Sequence, residues 1–201
     1  MFSWFTEAPL RAVIVIIACF IGAVIVFGVV MSALAVSGGS GQCTPGGGTI
    51  TISAANADSF DQKWDDMDAI LDGGSPSSIT LDESEISSRA DRYFRDETVL
   101  DVSDVRVCIH DGFGEATGSI DAVAGLGVDV SLKGTVDLSG DAPKITIDDI
   151  DIGNVPNFLI DVTDTIIGVE SDINGALDDI TLKHTYTATL TEGQVQIDGT
   201  P

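Results

Sequence analysis

The sequence predicts a mixed α+β domain behind an N-terminal transmembrane helix, with an antiparallel sheet packed on one long helix and two shorter ones. Three observations carry this. Residues 12–36 contain no charge over 25 positions, and about 20 apolar residues cross a bilayer as a helix. Beyond them, several stretches place apolar residues at every second position, as half-buried strands do. Three others place them at three- and four-residue spacings, as helices do. The remaining chain suits one domain with its own core.

The apolar run decides where the domain works. Signal-peptide cores span about 7–15 residues, so this run reads as an anchor that stays. Ala33-Leu34-Ala35 resembles a cleavage site, and Ile16-Ile17-Ala18-Cys19 loosely resembles a lipoprotein box; cleavage and lipidation are the alternatives. Arg11 flanks the N-terminal end, and no base follows closely after Val36. The positive-inside rule then puts the N-terminus in the cytoplasm and the domain outside. The expected location is the cytoplasmic (inner) membrane, single-pass, with residues 12–36 in the lipid bilayer. Residues 1–36 form the anchor. Residues 37–48, rich in Gly and Ser, read as a flexible linker. Residues 49–201 form the domain.

Within the domain, Thr49–Ser53 reads as a short strand. Phe60, Trp64, Met67, Ile70 and Leu71 predict a helix over 55–72, stopped by Gly73-Gly74. Ser78–Leu81 predicts a strand. Asp82 with Glu85 makes a capping-box pattern before a helix over 83–95, whose apolar side holds Ile86, Ala90, Tyr93 and Phe94. Val105, Val107 and Ile109 precede the turn pair Asp111-Gly112. Val128, Val130, Leu132, Val136 and Leu138 alternate cleanly with polar residues. In "KITIDDIDIGNVP" the phase slips at Asp148-Asp149, and a bulge there would return Ile145, Ile147, Ile150 and Ile152 to one face. Pro156 opens the long helix. Its stripe of Phe158, Leu159, Val162, Ile166, Val169, Ile173, Leu177 and Ile180 runs roughly 36 Å. Asp161, Asp164, Glu170, Asp172, Asp178 and Asp179 lie on the opposite face. Tyr186, Ala188 and Leu190, the turn Glu192-Gly193, then Val195 and Ile197 predict a closing hairpin.

Charge excludes some partners. Beyond residue 36 there are 31 acids and 8 bases, the wrong balance for nucleic acid or anionic headgroups. The sequence contains no GxSxG, HExxH, P-loop or GxGxxG-plus-helix pattern. His110 and His184 fall in predicted strands away from other ligands. No catalytic residue, metal site or cofactor is therefore expected, and the chain reads as a non-enzyme. A calcium site on Asp141, Asp148, Asp149 and Asp151 competes with a solvated acidic edge, which a straight strand favours. Cys43 and Cys108 are the candidates for one disulfide in an oxidising compartment, with two free thiols as the alternative.

"SITLDESEISSRADRYF", "VDLSGDAPKITIDDIDIGNVPNFLIDVTDTIIGVESDINGAL" and "LTEGQVQIDG" resemble, in order, the opening, middle and closing hairpin of small membrane-anchored bacterial domains. Those look like half-modules of the tubular lipid-binding (TULIP, BPI-like) group. The resemblance covers about residues 78–199. It implies a curved sheet wrapping the long helix around an apolar groove for acyl chains. Phe158, Leu159, Val162, Ile166, Val169 and Ile173 would line it with Val130, Leu132 and Val136. It implies no catalytic residues, and no basic cluster stands ready for a phosphate. The expected function is binding of lipid or another apolar ligand by a tethered domain. The rival is a structural or accessory subunit of a membrane complex, its acidic domain capping the outer face.

Overall fold

The computed structural model describes residues 42–96, 102–123, 126–152, 170–171, 174–175 and 182–201. These form two helices, α1 (Ala54–Asp72) and α2 (Glu83–Asp96), and seven strands. The strands are β1 (Ser77–Asp82), β2 (Val102–His110), β3 (Phe113–Val123), β4 (Leu126–Asp137), β5 (Lys144–Ile152), β6 (Thr185–Thr191) and β7 (Gln194–Thr200). The class is mixed α+β with two antiparallel sheets, one ordered β1-β7-β6 and the other β2-β3-β4-β5.

A single sheet was the expectation; there are two. Alternation identifies a strand but not its neighbour, and β1 leaves the meander to pair with the closing hairpin, Leu81 opposite Val195 and Ile79 opposite Ile197. The anchor (residues 12–36) and the long helix's stripe lie outside the described residues. Among the described residues no helix is long and apolar enough to cross a membrane.

The helices start as their sequences dictate. The Ser53 hydroxyl caps α1 by accepting from Asn56 N–H at 3.1 Å. Asp82 and Glu85 form the reciprocal capping box: Glu85 N–H donates to Asp82 at 2.8 Å and Asp82 N–H to Glu85 at 3.0 Å. Phe60, Trp64, Met67 and Leu71 bury one face of α1, while Ile70 stays exposed. Lys63–Glu85, Arg89–Asp61 and Arg92–Asp58 join α1 to α2 at 2.6–2.8 Å.

The bulge is at the predicted place. Lys133 pairs with Asp149 and Gly134 with Ile147, which leaves Asp148 unopposed. Ile145, Ile147 and Ile150 are all buried. Gly134 permits the close crossing, since a Cβ there would collide with the Thr146 carbonyl.

Two expectations about the first residues need correction. Residues 42–48 are not free linker: Cys43 is buried, and Gly46 and Gly47 donate to Glu83 at 2.8 and 3.0 Å. Thr49–Ser53 is not a strand. Its backbone is satisfied by a helix, with Thr51 N–H donating to Ser84 Oγ and Ser53 N–H to Ser88 Oγ, both at 3.0 Å.

Candidate functional site

The two sheets face each other across an apolar cleft of about 130 Å³, partly open to solvent. Leu81, Val195, Ile197 and Leu190 come from the three-stranded sheet. Val107, Ile109, Ala116, Val136 and Ile145 come from the four-stranded one, and Phe60 and Ile86 close the helical side. Alternation builds this wall, because every strand that contributes turns its apolar face inward. Small residues at Gly114, Ala116 and Ala188 leave the space that larger side chains would fill. Glu115 and Thr135 are the polar residues of the lining, and Ser131 holds the Glu115 carboxylate at 3.0 Å.

Of the expected groove residues, Val136 lines the cleft, while Val130 and Leu132 are buried in the core. All three share a face, but the cleft sits toward the Asp137 end of β4, where Gly134 and Thr135 also line it. Phe158, Leu159, Val162, Ile166, Val169 and Ile173 lie outside the described residues. Glu170, expected opposite the apolar stripe, meets the sheet: it accepts from Ile147 N–H at 2.9 Å. Asn174, one turn on, makes two 2.8 Å bonds to the backbone of Ile145.

Behind the cleft stands an aromatic stack. The Phe60 and Trp64 rings are 6.5 Å apart, and those of Trp64 and Tyr186 are 5.8 Å apart. Trp64 Nε1 is buried without a hydrogen-bond partner among the described residues. The Tyr186 hydroxyl donates to Asp68 at 3.1 Å. Burial, then the charge and hydrogen bond of Asp68, push the Tyr186 phenol up. Burial raises the Asp68 carboxyl against the opposing Tyr186 bond. His184 approaches Asp72 at 3.1 Å and His110 approaches Glu192 at 3.2 Å.

Cys43 and Cys108 are joined in a disulfide, with Cα atoms 6.0 Å apart. Among the described residues no group of three His, Cys, Asp or Glu could hold a metal ion. Asp141, Asp148, Asp149 and Asp151 are exposed, and Asp149 accepts from Ile150 N–H at 3.0 Å.

Sequence reasoning missed the polar face of α2. Glu83, Glu85, Ser87, Ser88 and Arg89 are all buried. The run "ESEISS" places several side-chain acceptors in the first turns of a helix, but nothing in it names the backbone they meet.

No protein-family model, no curated protein and no solved structure matches this chain.

Proposed function

We propose that this is a membrane-tethered, non-enzymatic domain working outside the cytoplasmic membrane, which takes the apolar end of a lipid or similar ligand into the cleft between its two sheets. The observation that carries the reading is the apolar, partly open space between the sheets. Apolar pockets with few polar groups are the usual form of small-ligand sites. The disulfide supports an oxidising compartment. The charge-free run at residues 12–36 supports the tether.

Size limits the occupant. An apolar cavity of about 150 Å³ holds a benzene ring, so about 130 Å³ takes a group of similar size, with the rest of the ligand outside the mouth. Each buried methylene contributes about 0.8 kcal/mol.

Native mass spectrometry of the full-length protein, purified in mild detergent from its own membranes with lipid extraction alongside, tests this. A stoichiometric, chemically narrow lipid is the expected result. A lipid-free protein co-purifying in a defined protein assembly overturns the reading and leaves an accessory subunit.

A further inference from the structure

The chain enters the domain at one end, between two turns. Cys43 is bonded to Cys108 in β2, and Gly46 and Gly47 are held by Glu83. Gly47 lies against Gly193 of the β6–β7 turn, so closely that a Cβ on Gly47 would come within 3.0 Å of the Gly193 Cα. That turn is fastened to the β2–β3 turn. Gly193 N–H donates to Ile109 O at 2.9 Å, Gly112 N–H to Leu190 O at 3.2 Å, and Glu192 N–H to Asp111 at 3.2 Å. Entry point and both turns form one rigid corner. Ile109, Gly114, Leu190 and Val195, which flank the turns, also line the cleft.

Residues 37–42 alone separate this fixed point from the apolar run ending at Val36. The seven Cα–Cα steps from Val36 to Cys43 reach at most about 25 Å when fully extended. To bring the opposite end of the domain to the membrane, the leash would have to run back along β7. Seven strand residues span about 20 Å, and side-chain clearance adds to that.

We infer that the corner formed by the β2–β3 and β6–β7 turns is the surface that faces the bilayer's headgroup layer, with the cleft on the same side. This rests on the reading of residues 12–36 as an anchor. Exposed Asp111 and Glu192 at this corner suit a zwitterionic headgroup layer better than an anionic one.

Gln194 and Thr200 stand at opposite ends of β7, both exposed. A donor dye is attached to Gln194→Cys or to Thr200→Cys, in full-length protein carrying Cys19→Ser. The protein is reconstituted in phosphatidylcholine vesicles with an acceptor dye on a fraction of the headgroups. The expected result is about twofold more energy transfer from position 194 than from position 200, given the ~20 Å of strand between them. Equal or reversed transfer in protein that floats with the vesicles overturns the orientation and leaves the anchor standing. Protein that does not float with the vesicles overturns both.

Discussion

The Ser87 hydroxyl of α2 takes the place of a neighbouring strand for Val107 of β2: it accepts from Val107 N–H at 2.8 Å and donates to Val107 O at 3.3 Å. One helical turn earlier, Glu83 accepts from Ile109 N–H at 2.7 Å. The other edge of the four-stranded sheet carries the same device, with Glu170 on Ile147 and Asn174 on Ile145. In both cases an i, i+4 pair of helical residues matches alternate residues of an edge strand. Open sheet edges invite pairing with other chains, and here side chains occupy both.

Ser87→Ala therefore strands a buried N–H. The expected loss is about 1–3 kcal/mol, read from urea unfolding. Glu83→Gln should cost at least as much, because either way its amide turns it sets a donor against an N–H the carboxylate now accepts from, Gly47 on one side or Gly46 and Ile109 on the other. A loss in either variant no larger than that of an exposed control such as Ser75→Ala would mean these contacts do not hold the edge.

These contacts also show which parts of the fold were legible. The Asp82–Glu85 box and the slip at Asp148-Asp149 could be read because each follows from local periodicity or spacing. The burial of Glu83, Glu85, Ser87 and Ser88 could not. Polar residues are ordinarily outside, and only the tertiary arrangement brings unpaired backbone from β2 and residues 51–53 to that face. Thr49–Ser53 has the composition of a strand, but its partners turned out to be serines. The cleft was less legible: alternation marks the apolar faces of its strands, but the expected groove set β4 against the helix after Pro156, and only the pairing of β1 with β7 sets a second sheet opposite.

The glycine at the bulge is sensitive for steric reasons. At Gly134 an added Cβ runs into backbone, which cannot rotate away, whereas at Gly140 it meets ordinary contact with Ala142 O at 3.5 Å. Gly134→Ala should destabilise by about 1–3 kcal/mol, and Gly140→Ala should stay within about 0.5 kcal/mol. Thermal unfolding of the two variants side by side checks the difference; equal melting temperatures would contradict the close crossing.

The disulfide closes a separation of 65 residues. A loop of that length corresponds to about 4 kcal/mol of chain entropy. Unfolding in urea with and without reductant should show a loss of that order. The Cys43→Ser/Cys108→Ser variant should match the reduced protein and be indifferent to reductant.

Two carboxyls pull the pH dependence in opposite directions. Burial raises Glu85, but hydrogen bonds from Lys63, Ser59 and Asp82 N–H outweigh it and hold the carboxyl below its ordinary 4.5. Its contribution is present above that value and is lost as pH falls through the folded pKa. Burial holds Asp68 above its ordinary 3.8. Its contribution is full below that value and is lost as pH rises through the folded pKa. Glu85→Gln should therefore flatten the acid loss of stability, and Asp68→Asn should steepen it. Unfolding free energies across pH 3 to 7 would reject the assignment if both variants changed the slope in the same sense.

Filling the cleft should move stability and binding apart. Ala188 lines the space and is half-buried, so Ala188→Leu adds three carbons where the structure leaves room. Cavity filling of this kind contributes about 0.5–2 kcal/mol, and the same carbons occupy the volume a ligand needs. Phe60 connects the cleft to Trp64 by ring stacking, so Trp64 fluorescence reports occupancy once Trp4→Phe removes the other tryptophan. With benzene as the probe, the parent should respond saturably, and Ala188→Leu should be more stable and respond weakly or not at all. A variant that loses stability and binds benzene as the parent does would place the binding volume elsewhere, and the ligand reading of the cleft would fall with it.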